Sequence, residues 1–240
     1  MADIADTDNN LIRTLLNLPP GQTTFTKTQL AYATVREAIV THSLPANTPL
    51  DEAKLLAEFP VGRTPLREAL KRLMHEGFLR WPAHQAPIIL DVGVHEMRYL
   101  YETRRMLEPT IARLAAVRLT PLDRILLEST RLAMVKACAS GYIYSSVEHD
   151  FALHAAISGA THNRFLAEAS YHLNLQSLRL WYRAQERHGI ANIHVSHTEL
   201  VHAITTGQAD LAEQLARDHI EMSLQRQQAM LDEHYVTYDK

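Results

Sequence analysis

Asp150 and His154 stand four residues apart, so on a helix both side chains leave the same face, the spacing at which two ligands share an ion. His197 and His219 fall in two later helical segments, and His219 sits among Leu211, Leu215 and Ile220, apolar positions that face a core. Three imidazoles and a carboxylate suit a borderline divalent ion such as zinc or nickel, with positions left for an exogenous ligand. The chain holds 14 histidines, so a pair at this spacing equally fits histidines satisfied within a core. Arg104 lies beside Leu100, Leu107 and Ile111, close to an apolar face, where a guanidinium needs an anion. That anion is either Glu108 on the next turn or the carboxylate of a small bound effector.

A different chemistry is written in residues 61–73. Thr64 suits a helix N-cap and Pro65 the first helical position. Leu66, Ala69, Leu70 and Leu73 then share one face, Arg63, Arg67 and Lys71 project elsewhere, and Gly77 supplies a stop. A helix presenting arginines from its first turn meets an anion, or simply carries a solvated charged face. Upstream, Asp51 caps a short amphipathic segment in which Leu55, Leu56 and Phe59 are the apolar positions, and only residues 60–63 separate the two, a helix-turn-helix connection. Thr28 caps a further helix through Leu30, Val35, Ala38 and Ile39. Residues 78–81 and 87–90 read as two strands around a turn. Three helices and a hairpin make a winged helix-turn-helix.

Val61-Gly62-Arg63-Thr64-Pro65-Leu66-Arg67-Glu68-Ala69-Leu70 closely resembles the signature of the GntR family of bacterial transcription regulators. The resemblance runs from Leu30 to Leu90 and implies that Arg63, Thr64 and Arg67 touch DNA, with Lys71 on the same basic face. The arginines suit guanine O6/N7 in the major groove or phosphate. Pro60 and Gly62 stand where that family has a glycine and a small hydroxyl residue, which removes one contact from the turn. Ala86 replaces the glycine usual at the wing tip, and Asn47 replaces another glycine at a position where asparagine also tolerates a left-handed backbone.

Residues 101–108, 150–154, 197–204 and 212–219 are similar to the motifs of the FCD domain, the effector-binding body of the FadR subfamily, and Asn163 matches a residue that domain often carries. The resemblance extends to about Met230. It implies that Asp150, His154, His197 and His219 hold a divalent metal; His149, His162, His172 and His202 read as surface or outer groups.

The elements that must position these residues follow. The fold class is mainly α, with an N-terminal winged helix-turn-helix carrying a small β-hairpin and a C-terminal all-α bundle of six or seven helices. The expected layout is a loosely ordered arm over 1–25, the DNA-binding domain over 26–90, a linker over 91–96 and the effector- and metal-binding domain over 97–235. Helical segments begin near Met97, Pro121, Tyr142, Asn163, Ser196 and Ala209. The net charge is −3. Residues 26–90 nonetheless carry eight Lys/Arg against six Asp/Glu, so affinity per head is moderate and a homodimer reading two half-sites of a palindromic double-stranded operator is expected. No apolar run reaches the roughly 18 residues needed to cross a bilayer, and the acidic start lacks a signal peptide's character, so a cytoplasmic protein without a membrane partner is expected. The single cysteine, Cys138, has no partner for an internal disulfide and reads as an inert helical residue.

These readings combine into a metabolite-responsive transcription regulator, a repressor, whose body binds a divalent metal and a small organic acid and is not an enzyme. Two alternatives stand beside it: a constitutive DNA-binding protein with a structural metal site, and a metal-dependent hydrolase. The second needs a general base near the ion, and Glu148 and Glu199 lack a motif that would make either one.

Overall fold

In a computed structural model of the chain, residues 25–58, 61–190 and 193–238 are described. The arm expected over 1–25 lies outside them except for Phe25, as do Phe59 and Pro60. The chain divides into two units between Val92 and Gly93.

The first unit opens with α1, Lys27–Val40. Its cap is Thr26 rather than Thr28: the Thr26 hydroxyl accepts from the Gln29 N–H while the Gln29 side chain accepts from the Thr26 N–H, a reciprocal capping box that Thr28 could not form. Ala31, Tyr32, Val35 and Ile39 are buried, whereas Leu30 is exposed. Asn47 takes φ 60° and donates its N–H to the Ile89 carbonyl at 2.8 Å, so asparagine carries the left-handed turn there. Asp51 caps α2, Glu52–Glu58, accepting from the Ala53 and Lys54 N–H groups at 2.9 and 3.2 Å.

The basic helix α3 spans Arg63–His75, with N-cap Gly62 and no side-chain cap. Thr64 is therefore inside the helix and Pro65 occupies its third position, where the missing N–H is still one of the orphan donors of the first turn. Leu66, Ala69, Leu70 and Leu73 are buried. Gly77 ends the helix at φ 79°, and the Phe78 N–H returns to the Leu73 carbonyl at 2.9 Å. Strands β1, Leu79–Arg80, and β2, Ile88–Ile89, then pair antiparallel with Leu79 opposite Ile89. At the tip of this wing the left-handed residue is His84, at φ 60°, and not Ala86.

The second unit holds six described helices: α4 (Val94–Arg118), α5 (Pro121–Ser140), α6 (Ile143–Gly159), α7 (Arg164–His188), α8 (Ile193–Thr205) and α9 (Ala209–Tyr238). α4 begins inside the stretch read as a linker, because Gly93 caps it and Glu96 falls in its first turn, where a carboxylate favours the helix N-terminus. Thr120 and Asp123 form a capping box on α5, and Gly141 closes it at φ 76°. Asn163 caps α7 by accepting from the Phe165 and Leu166 N–H groups.

α6 is the central helix of this bundle. It packs against α5 and α7, and α4 packs along α9. Residues Tyr144 and Ser146 through Leu153 are all buried, a helix covered on nearly every side. Ile111, Leu127, Met134, Leu153, Ile157, Val201, Ile204 and Ala212 form the core around it. None of the described helices is long and apolar enough to cross a membrane.

Candidate functional site

Two sets of side chains carry chemistry, one in each unit. On the first, burial of the leucine face of α3 leaves Arg63, Thr64, Arg67 and Lys71 exposed, so all four residues singled out for DNA reach solvent. They do so in different states. Among the described residues Arg63 has no ion-pair partner. Arg67 is tied to α2, its Nε donating to Glu52 Oε2 at 2.9 Å and its Nη2 to Glu52 Oε1 at 3.3 Å. Lys71 pairs with Glu68 one turn back at 2.9 Å. Both pairs are exposed and worth little in stability, but the fork on Glu52 fixes the direction of Arg67. Beneath this face Tyr32 donates to Glu76 at 2.6 Å and Arg72 bonds the same carboxylate at 2.8 Å, holding α3 against α1.

In the second unit α6 projects Asp150 and His154 from one face, α8 brings His197 and α9 brings His219. All four are buried. One nitrogen from each of the three imidazoles lies within 4.8 Å of the others. His154 Nε2 and His197 Nε2 are 3.4 Å apart, and Asp150 Oδ1 is 2.9 Å from His197 Nε2 and 3.7 Å from His154 Nε2. Two ligands each about 2.1 Å from an ion, with an angle of about 90–110° between them, lie roughly 3.0–3.4 Å apart. The His154–His197 spacing falls within that range, and Asp150 Oδ1 lies just short of its lower limit from His197 and just beyond its upper limit from His154. Asp150 Oδ1 is within ion-pair distance of both His197 and His154 and has no hydrogen-bond partner. A buried carboxylate oxygen that meets nitrogens without bonding them is the arrangement of ligand atoms aimed at a common centre.

Protonation agrees with this. Burial pushes His154 down to about 4 and outweighs the opposing pull of Glu108 and Asp150, while burial also pushes His219 well below the ordinary histidine range. Burial works against ionising Asp150, but its neighbours His197, His154 and Arg104 together outweigh it and hold the carboxyl below its usual range. Asp150 thus offers an anionic oxygen, and His154 and His219 offer neutral imidazoles, the protonation state that metal binding requires. One prediction follows for the metal-free protein. An unfolded His154 titrates near 6.5, so between pH 6.5 and about 4 the unfolded chain binds the extra proton; stability present above pH 6.5 is lost as pH falls through that window. His154 alone accounts for about 3 kcal/mol. Urea unfolding of chelator-treated protein from pH 8 to 4.5 checks it, and a His154→Gln variant with an equally steep profile would refute the assignment.

Behind His154 lies a residue that sequence reading gave only as a neighbour of Arg104. Glu108 Oε2 is 3.5 Å from His154 Nδ1, and Arg104 Nε donates to Glu108 Oε1 at 2.5 Å, with all three side chains buried. A carboxylate beside the far nitrogen favours the tautomer that would leave Nε2 free for an ion. Arg104, singled out for the effector, is engaged with Glu108 between the rings of Tyr101 and Trp181; its Nη1 has no hydrogen-bond partner. The other histidines lie apart from the cluster. His149 Nδ1 donates to the Ser145 carbonyl at 2.8 Å, His162 pairs with Asp123 at 2.8 Å, and His172 and His202 are exposed. Burial raises the Cys138 thiol to about 11, so it stays protonated.

Residues 99–222 match the family model of the FCD domain, and residues 27–82 match that of the bacterial regulatory proteins of the gntR family. The chain belongs to the GntR family of transcription regulators, in the group that carries an FCD domain. Over 194 residues this regulator is 24% identical to the HTH-type transcriptional regulator LutR of Bacillus subtilis (strain 168), a match covering 71% of this chain and 87% of LutR. It is 42% identical to the Nta operon transcriptional regulator of Aminobacter aminovorans over 71 residues, 30% of this chain and 34% of that protein, so that match spans about a third of its relative. The solved structure of E. coli McbR/YncC superposes with a TM-score of 0.71 at 20% identity, covering 88% of this chain and 100% of that one, and shares its fold. The matched families and relatives are transcription regulators, not enzymes, which sets the hydrolase alternative aside.

Two cavities of the regulator's FCD domain flank the histidines. One, of about 30 Å³, is bounded by Asp150, Trp181, Gln185, His219, Arg226 and Gln227; a smaller one on the other side meets Glu108, His154, Ser170 and His219. Arg104 lines neither. The cation at the first cavity is Arg226, and Gln227 Oε1 is buried beside it without a hydrogen-bond partner. Trp181, Arg226 and Gln227 had no local signal: they lie on α7 and α9, and only the packing of those helices brings them to Asp150.

Proposed function

We propose that this regulator is a homodimeric, cytoplasmic repressor that binds a palindromic DNA operator and is released by a small organic acid acting through a divalent ion, zinc or nickel, held by Asp150, His154, His197 and His219. The observation that carries this reading is the convergence of a carboxylate and three imidazoles from α6, α8 and α9 beside a cavity with an unpartnered amide oxygen. The ion, when bound, would offer a positively charged anchor to a carboxylate. Arg226 and Gln227 would then meet the rest of the molecule, and Arg104 would act from behind by holding Glu108 against His154. Because the ligands come from three helices, filling the site changes how firmly those helices are tied together. DNA affinity responds only as far as the effector prefers one arrangement over the other.

The small cavity favours one competing reading, a structural ion in a regulator that binds DNA constitutively. A fluorescence anisotropy titration separates the two. The protein is titrated with labelled DNA flanking its own coding sequence at two salt concentrations with scrambled competitor, then with chelator, added zinc or nickel, and a panel of hydroxy-, di- and aromatic carboxylates. The effector reading expects salt-sensitive binding that survives competitor and falls by at least tenfold with one class of acid, only when metal is present. Specific DNA binding unmoved by every acid supports the structural ion.

A further inference from the structure

Arg67 and Lys71 are both paired with carboxylates, but the two pairs differ in kind. Lys71 meets Glu68 on its own helix, and their side chains are 56% and 52% exposed. Arg67 meets a carboxylate from a different helix, Glu52 of α2, which is only 23% exposed where Arg67 itself is 55%. A carboxylate beside the DNA-facing helix repels phosphate, so by itself it lowers affinity for every sequence alike.

What offsets that loss is legible in the donors the fork occupies. A guanidinium carries five N–H groups in one plane. Glu52 takes the edge formed by Nε and one Nη2 hydrogen, with Nε shared between its two oxygens at 2.9 and 3.3 Å. Nη1 has no hydrogen-bond partner among the described residues. The outer edge, with one hydrogen from each of Nη1 and Nη2, therefore stays open, and two parallel N–H groups are the donor pair that meets O6 and N7 of a guanine. The carboxylate also cancels most of the charge a phosphate feels, so the pair adds little to counterion release. Arg67 in this state gains little from phosphate in general and keeps its hydrogen bonds for one base edge.

We infer that Glu52 is a positioning residue for DNA recognition, one that suppresses sequence-independent binding by Arg67 and aims its open edge at a guanine. This rests on Arg67 meeting DNA, as its place on α3 implies. The test is selection of duplexes from a random-sequence pool by the full chain, with anisotropy titration on random-sequence DNA at several salt concentrations and circular dichroism of each variant. Glu52→Ala is expected to bind random DNA about threefold tighter or more, with a salt slope steeper by about one per head. Its selected motif is expected to lose guanine preference by about fivefold or more at the position that Arg67→Ala also loses. In an Arg67→Ala background, Glu52→Ala should change the motif no further. Glu52→Gln, which keeps an acceptor for Nε but no charge, is expected to steepen the slope while retaining more of the preference. A merely structural role would instead weaken binding to selected and random DNA together and leave the guanine position as it was. A folded Glu52→Ala variant that selects the wild-type motif, or binds random DNA no tighter, overturns the inference; if Arg67→Ala still loses the guanine, only the part given to Glu52 fails. An Arg67→Ala variant that selects the wild-type motif overturns both. Should Glu52→Ala misfold, an unchanged salt slope in Glu52→Gln is decisive against the inference.

Discussion

Replacing His219 by glutamine is expected to weaken divalent-metal binding more than 100-fold, read by competition against a chromophoric chelator. His219 is buried and held neutral, so its nitrogen is available without displacing a proton. Glutamine fills a similar volume without stranding Asp150, whose charge leans on His197 and not on His219. Glu108→Gln is expected to cost less, roughly 10–100-fold, the usual effect of losing a group that orients a ligand. If Glu108→Gln binds metal as the wild type does, the 3.5 Å approach to His154 is only packing. Equal metal affinity in the His219 variant would remove α9 from the site, and with it the link between the metal and the helix that carries Arg226 and Gln227.

The second large effect belongs to the other unit. Arg63→Ala is expected to lower operator affinity by about 1–3 kcal/mol per head, a loss the proposed dimer would count twice. Arg63 stands in the first turn of α3, exposed and without an ion pair among the described residues, so its full set of donors is free to meet a base edge. Arg67→Ala is expected to do less, because DNA contact must compete with the fork on Glu52. The same anisotropy titration, repeated at several salt concentrations, distinguishes the roles. An arginine that reads a base relaxes discrimination against scrambled DNA, while one that binds phosphate lowers affinity on both sequences and flattens the salt slope by about one. Should Arg63→Ala lose less than Lys71→Ala, the reading helix enters DNA in a different orientation from the one its sequence implies.

What was legible beforehand was local. The dry face of α3 is the one its leucine spacing marks, and its stop at Gly77 has the positive φ that glycine supplies, because periodicity and chain reversal are settled within one or two turns. Asp150 and His154 share a face for the same reason. Caps were less secure: Thr28 and Thr64 are chemically suitable, but Thr26 has the reciprocal partner and Gly62 the extended backbone, and several nearby residues compete for each such position.

The chemistry of the two sites needed tertiary structure. Nothing within a turn of Asp150 says that α6 is surrounded, yet that burial is what neutralises His154 and leaves Oδ1 of Asp150 without a hydrogen bond. Arg104 illustrates the same limit. Its sequence neighbours predict correctly that it is buried and needs an anion, but which anion depended on the Glu108 rotamer and on the rings of Tyr101 and Trp181 that enclose it. The sequence by itself determined the family, the two kinds of unit and the residue types of both sites, since helix periodicity and signature motifs are properties of short segments. Only the tertiary structure decided the distances among Asp150, His154 and His197 and the capture of Arg67 by Glu52, because each depends on which helices pack together, and that is settled by burial over the whole chain.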